Sequence, residues 1–308
     1  MENNNLPLVS VVIPCYNHEQ FVQDSIQSVI DQTYLNIELI IIDDGSKDSS
    51  VDKIQQMIPA CEQRFTRFEF RSRPNKGLSA TLNETIELAN GEYWSTCSSD
   101  DLYHKDKVRL QVNSFLNNPD QLCSLTLASV VDDNGVSLDF STDQYNSKIT
   151  SGISFEDIFT FKINLPVTMM YKTSFINDEL EGFDEELTAE DFDINLRTAA
   201  KTKISLINEK LYNYRSPMVV GSNRKRPIMR LDVSESHLST LNKYKEHELY
   251  STALREWNYR RFILFSAYTQ TKLYAVCGLM GSFHMWRSLY FYKAMFRILF
   301  FWKDYNAK

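Results

Sequence analysis

Leu8-Val9-Ser10-Val11-Val12-Ile13-Pro14 and, 30 positions further on, Glu38-Leu39-Ile40-Ile41-Ile42-Asp43 decide the fold. Each is a short β-branched run with a sharp end, the pattern of a buried strand. Between them Phe21, Val22, Ile26, Val29 and Ile30 recur at helical spacing across residues 18–33. Strand, helix and strand at this spacing make a βαβ crossover, with parallel strands and the helix on one face.

Working outward, Asp44-Gly45-Ser46-Lys47-Asp48-Ser49 is a turn that offers N-caps to a helix through 51–58. A strand is predicted at 67–71, then the loop Arg73-Pro74-Asn75-Lys76-Gly77 and a helix over 79–89 that Asn90-Gly91 stops in the left-handed region. The strand 92–97 runs into Ser98-Ser99-Asp100-Asp101, ahead of a helix over 102–115. This alternation defines an α/β protein with a Rossmann-like, mostly parallel sheet flanked by helices. Further strands are predicted at 121–131, 166–171 and 204–207, with the polar stretch 132–151 as a mobile loop. The acidic segment GFDEELTAEDFD (182–193) leads into a helix, and the pattern turns helical after Pro217. The expected organisation is one α/β domain over 1–215 and a helical C-terminal extension over 216–308.

Composition narrows the function. With 308 residues, 43% hydrophobic and 24% charged, the chain is an ordinary globular one. Nine glycines and eight prolines exclude a collagen-like or low-complexity chain. The net charge of −7 argues against nucleic acid as a partner. Five scattered cysteines without a CxxC pair fit reduced thiols, and MENNNLPL has no basic-then-apolar leader pattern, so the expected location is cytoplasmic. The charge is uneven: residues 255–308 carry nine Lys or Arg against two acids, among many aromatic residues.

In an open parallel sheet, ligands bind beyond the carboxyl ends of the strands. Three of those ends carry polar clusters here: Pro14-Cys15-Tyr16-Asn17, Asp43-Asp44-Gly45-Ser46 and Ser98-Ser99-Asp100-Asp101. Taken singly, the last two read as capped turns, and the pair Glu190-Asp191 as acids favoured at a helix start. Taken together, carboxylates and hydroxyls at neighbouring strand ends make a hard-oxygen site suited to Mg²⁺ or Mn²⁺ shared with substrate phosphates. No GxGxxG or GxxxxGK[ST] is present, which leaves dinucleotide oxidoreductases and P-loop NTPases without support.

These motifs, with Gln32-Thr33-Tyr34, Asn75-Lys76-Gly77 and Gly91-Glu92-Tyr93 between them, occur in the order seen in family 2 glycosyltransferases. The resemblance covers residues 8–215 and implies a GT-A fold and an inverting, nucleotide-sugar-dependent enzyme. It implies that Pro14, Tyr16 and Asn17 line the nucleotide pocket with Asp43, and that Asp44 accepts a hydrogen bond from the N3–H of a uracil or thymine. Asn75, Lys76 and Gly77 would border base and phosphates. In the family's Asp-x-Asp metal motif the first Asp falls on Ser98, a departure, with Ser99 next and the metal ligand retained as Asp100. Asp191 matches the catalytic base, with Glu190 beside it positioning the acceptor. The His that many relatives carry after Tyr-Arg is replaced by Pro217, and the five histidines (His18, His104, His237, His247, His284) read as surface residues. The processive Gln-x-x-Arg-Trp signature is absent, which favours transfer of a single sugar.

At 100° per residue, Phe291, Met295, Ile298, Leu299 and Trp302 of the segment 286–303 gather on one arc, with Arg287, Lys293, Arg297 and Lys303 elsewhere. Such a helix can lie in the headgroup layer of an anionic membrane, apolar face down. Spanning is not expected, because the longest uncharged stretch nearby, 273–286, is 14 residues against the roughly 20 needed. The resulting expectation is peripheral contact with the inner face of the cell membrane. By analogy the acceptor is a glycan or polyprenyl-linked oligosaccharide in O-antigen or capsule assembly, and the donor a UDP-sugar. A catalytically silent sugar-nucleotide-binding relative is the alternative that Ser98 and Pro217 motivate. A nucleotidyltransferase would want a Gly-rich loop after the first strand.

Overall fold

The computed structural model describes residues 6–216 and 230–301. These fall into two compact units: 6–153, 165–185 and 197–216 form the first, and 154–164, 186–196 and 230–301 the second. Pro217, Trp302 and Lys303 lie outside the described residues.

The first unit is built on an eight-stranded mixed sheet. Strands β1 (Val9–Cys15), β2 (Ile37–Asp43), β3 (Arg67–Ser72) and β4 (Tyr93–Thr96) are parallel, in the order β3-β2-β1-β4. Beyond β4 come β5 (Leu102–Tyr103), β6 (Cys123–Val131), β7 (Met170–Lys172) and β8 (Ser205–Arg215), in the order β7-β6-β8-β5. There only β6 and β8 are parallel; the pairs β4/β7, β7/β6 and β8/β5 are antiparallel. The helices α1 (Val22–Ile30), α2 (Ser50–Arg64), α3 (Leu78–Leu88), α4 (Lys107–Asn117) and α5 (Asp139–Asn146) belong to this unit. Every residue of β1 and β2 is buried, as strands covered on both faces require. Val22, Ile26 and Val29 of α1 pack with Val11, Ile13, Leu39 and Ile41 in one core, each contributing about 1.5–3 kcal/mol.

At the amino end of β1 a buried acid ties three segments together. Glu38 accepts from Ser10 Oγ (2.5 Å), Arg67 Nη1 (2.8 Å), Asn90 N (2.6 Å) and Gly91 N (3.0 Å). Burial alone would raise its pKa, but these hydrogen bonds outweigh it and hold the carboxyl below its ordinary value.

Several expectations are revised. Gly91 is not a left-handed helix stop; a Cβ there would sit 2.6 Å from Ser10 N and 2.9 Å from Leu8 O, so close backbone approach requires the glycine. Residues 102–103 are a strand, and the helix starts only at Lys107. The stretch 132–151 contains α5, docked by hydrogen bonds to β6: Val130 N donates to Thr142 Oγ1 (2.8 Å) and Asn146 Nδ2 to Ala128 O (2.7 Å). The last strand has 11 residues, because a bulge carries β8 past the exposed Asn208 and Glu209 and resumes pairing at Lys210.

The second unit is helical: α6 (Phe155–Phe159), the first residues of α7 (Glu190–Lys201), α8 (Leu231–Asn242), α9 (Tyr250–Phe265), α10 (Lys272–Leu279) and α11 (Leu289–Phe300). Tyr259 and Phe262 of α9 pack against Phe291 and Ala294 of α11, with Met295 and Ile298 at the margin. Among the described residues no helix is long and apolar enough to cross a membrane.

Candidate active site

Because β1 to β4 are parallel, their carboxyl ends share one edge of the sheet. The chain order reverses between β1 and its neighbour β4, the kind of switch point at which open α/β sheets bind ligands. The loops leaving these strands are stitched to one another. Asn17, with φ of 55°, donates its amide to Ser46 Oγ (2.8 Å) and accepts from Lys47 N at Oδ1 (2.8 Å), joining the ends of β1 and β2. His18 donates its amide to Ser50 Oγ (2.9 Å), and its Nδ1 lies 2.7 Å from Ser99 Oγ, joining β1 to β4. His18 is therefore half-buried and locally bonded within the candidate site. Its position right after Tyr16-Asn17 was the available signal.

Asp44 joins β2 to the loop after β3. Its buried carboxylate accepts from Lys76 N (2.8 Å), Gly77 N (3.0 Å) and the Arg73 guanidinium, while Asn75 Nδ2 donates to Asp44 O (2.8 Å). Gly45, with φ of +76°, leaves no room for a side chain, since a Cβ would meet Asn75 N at 2.7 Å. A carboxylate offers about four acceptor sites; three are taken by protein donors, so Asp44 shapes this loop. Asp43, fully buried, accepts from Ser46 N (3.1 Å) and Ser72 Oγ (3.2 Å) at Oδ2; its Oδ1 has no hydrogen-bond partner among the described residues. Tyr16 is exposed at the same edge, and Pro14 is buried within β1.

The end of β4 is held from β8. Asp101, buried beneath the loop, accepts from Arg215 N (2.7 Å) and Tyr212 Oη (2.9 Å), and Tyr212 Oη also takes the amide of Ser98 (3.1 Å). Burial first, and then the adjacent Asp100, push the Asp101 carboxyl well above the ordinary carboxylate range. The Arg215 guanidinium donates to Asp100 O (2.9 Å) and Asp24 (3.2 Å) and stacks 4.6 Å from the Phe21 ring centroid. Asp100 is half-buried, between the buried Ser99 and Asp101. No group of three or more His, Cys, Asp or Glu gathers around a common point among the described residues. One carboxylate with neighbouring hydroxyls fits a hard divalent cation that keeps its waters and shares donor phosphates, not a closed protein cage.

Glu190 and Asp191 belong to the second unit, at the start of α7. Ala189 N donates to Ser236 Oγ of α8 (2.9 Å), Phe192 stacks on Phe161 (4.8 Å), and the buried Asp193 pairs with Lys243 (2.7 Å). Desolvation and then the adjacent Asp191 charge push Glu190 up to about 7. Asp191 stays open to solvent at its surface, yet desolvation of its carboxyl outweighs the hydrogen bond from Phe192 N (2.8 Å) and raises its pKa. The helix N-terminus would have acted in the opposite sense, and desolvation wins. His237, packed against Phe161 and Phe192, is half-buried, and burial lowers it to about 4. The structure thus brings together Pro14, Tyr16, Asn17, Asp43, Asp44, 75–77 and 98–100 in one unit, with Glu190 and Asp191 side by side in the other.

The fold is a mixed α/β one whose polar loops gather at the carboxyl ends of its parallel strands. The model of glycosyl transferase family 2 matches residues 10–178, more than half of the chain, and the chain belongs to that family. It is 27% identical over 214 residues to the hyaluronan synthase of Pasteurella multocida, which covers 68% of this chain and 20% of that protein. The chain spans less than half the length of the curated relatives it matches. Among solved structures, S. aureus TarS 1–349 in complex with UDP-GlcNAc superposes with a TM-score of 0.63 at 19% identity, over 88% of this chain and 79% of that one. The mannosyltransferase PcManGT from Pyrobaculum calidifontis, in complex with GDP-Man and Mn²⁺, gives 0.63 at 13% identity, over 97% and 89%. At these identities the two structures establish a shared GT-A fold.

Proposed function

We propose that this protein is an inverting glycosyltransferase that moves one sugar from a UDP-linked donor to a glycan or lipid-linked oligosaccharide in surface polysaccharide assembly, O-antigen or capsule. It acts in the cytoplasm at the inner face of the membrane. The observation that carries the reading is the stitched edge, where four strand-end loops converge around Asn17, His18 and Asp44 in a chain of this family.

The loop 73–77 and Asp44 seat the nucleotide. Asp100 would hold a divalent cation, Mn²⁺ or Mg²⁺, beside the hydroxyls of Ser98 and Ser99; when bound, it supplies charge stabilisation for the departing diphosphate. The acceptor oxygen bonds to the anomeric carbon as the bond from that carbon to the diphosphate oxygen breaks. Asp191 takes the acceptor's proton, a contribution of roughly 10²–10⁴ in rate, and its raised pKa makes it a stronger base than an ordinary aspartate. Glu190 orients the acceptor.

The test is Mn²⁺-dependent binding and slow hydrolysis across a panel of sugar nucleotides, with Asp100→Ala and Asp191→Asn alongside wild type. One donor should be turned over, with Asp100→Ala inactive and Asp191→Asn binding donor without transfer. Donor binding without metal-dependent turnover would favour the catalytically silent relative, and no metal-dependent binding of any donor would overturn the enzyme reading.

A further inference from the structure

Twelve of the 22 large apolar side chains exposed among the described residues fall between 273 and 301. They form stripes at helical spacing. On α10 and its C-cap, Leu273 (78% exposed), Val276 and Met280 (84%) are at i, i+3 and i+7, with Cys277 between them. On α11, Leu299, Tyr292, Phe296, Leu289 and Phe300 occupy an arc of about 100°. Lys293 and Arg297 follow along one border of that arc, while Phe291, Ala294 and Ile298 point the other way, into the core against α9. This corrects the face expected from the sequence. Phe291, Met295 and Ile298 pack inside the unit, and a second apolar face stays outside; Trp302 lies beyond the described residues. Lys272 Nζ donates to Ile298 O (3.0 Å), tying α10 to the end of α11, and the Phe283 ring between the two helices stands 5.9 Å from that of Phe291.

Residues 272–301 contain Lys272, Arg287, Lys293 and Arg297 and no Asp or Glu, in a chain whose net charge is −7. We infer that this exposed face of α10 and α11 is a docking surface for an anionic lipid bilayer, with its apolar stripes in the acyl boundary and Arg287, Lys293 and Arg297 at the phosphate level. It deepens the membrane-side part of the proposed function and is independent of the donor chemistry. A second copy of the chain is the poorer occupant, because a two-fold interface through this face sets cations against cations with no acid to answer them. Neither helix can span, so the contact is peripheral.

The experiment is co-sedimentation of the full chain with phosphatidylglycerol-containing and with pure phosphatidylcholine vesicles. It is run for wild type, Phe296→Ser/Phe300→Ser, Lys293→Glu/Arg297→Glu and, on the other helix, Leu273→Ser/Met280→Ser. Wild type should bind the anionic vesicles and lose them as salt is raised. The charge-reversed pair should bind the anionic vesicles at least about tenfold more weakly, and both apolar pairs should release them. All variants should keep the wild-type thermal transition and sugar-nucleotide affinity. Equal vesicle binding by wild type and all three variants overturns the inference. So does self-association that the variants abolish in place of vesicle binding. Vesicle binding without donor binding would leave this surface standing and sink the donor reading instead.

Discussion

Asp44 holds the loop after β3 through three donors, and under the proposed function it also seats the nucleotide. Asp44→Ala frees the amides of Lys76 and Gly77, while Arg73 keeps Glu84 at 2.7 Å. Losing charge-assisted bonds from a buried acceptor costs about 2–3 kcal/mol. Donor affinity should fall by about tenfold or more, since 1.4 kcal/mol is a factor of ten; calorimetric titration of the sugar nucleotide checks this, and a thermal melt checks the stability loss. Lys107 is a different case. Its Nζ is fully buried, donates to Gln111 Oε1 (2.6 Å) and Ser95 Oγ (3.1 Å), and stands 4.2 Å over the Tyr103 ring, with no carboxylate partner among the described residues. Burial lowers its pKa from 10.5 to about 7. Below pH 7 the amine is charged in both states and the fold carries the whole burial penalty. Between 7 and 10.5 the unfolded chain holds a proton that the fold has lost, so stability rises with pH. Lys107→Met should remove that rise. Its urea midpoint relative to wild type should stand highest below pH 7 and decline toward pH 10.

At the scale of elements, Gly91 marks where backbone meets backbone. A Cβ there would strike Ser10 N and Leu8 O, neither of which can swing aside. Gly91→Ala should therefore cost about 1–3 kcal/mol, read as a lowered thermal midpoint, whereas Gly135→Ala meets nothing and carries only the strain of φ +80°. The same contrast explains what the sequence made legible. β1, α1 and β2 were readable because burial on two faces or one imposes a plain apolar period, and the strand-end clusters followed from them. α5 was not, since it is held by Thr142 and Asn146 reaching the β6 backbone and not by an apolar stripe. The far half of β8 was hidden by its bulge, although Tyr212 and Arg215 there hold the Asp100 loop. The outward face of α11 was misassigned because a helical wheel shows an apolar arc without showing that α9 already covers it.

Across the whole molecule the cysteines report both units at once. Cys15, Cys61, Cys97 and Cys123 are buried in the first, where desolvation raises the thiols of Cys15 to about 11 and of Cys61 and Cys123 to about 12. Thiols that are both inaccessible and held protonated do not attack a disulfide reagent, because the thiolate is the nucleophile. Cys277 is exposed in the second unit, one residue from Val276 and four from Leu273. The native protein should therefore release one equivalent of chromophore from an aromatic disulfide, and the denatured chain all five. Two or more fast thiols in the native state would show that the core around β1 and α2 opens on the timescale of the assay. Because Cys277 shares the outer stripe of α10, anionic vesicles should slow its modification severalfold while neutral vesicles leave it unchanged. Raising the salt should restore the original rate, since the apolar stripes are recruited to the surface through Arg287, Lys293 and Arg297.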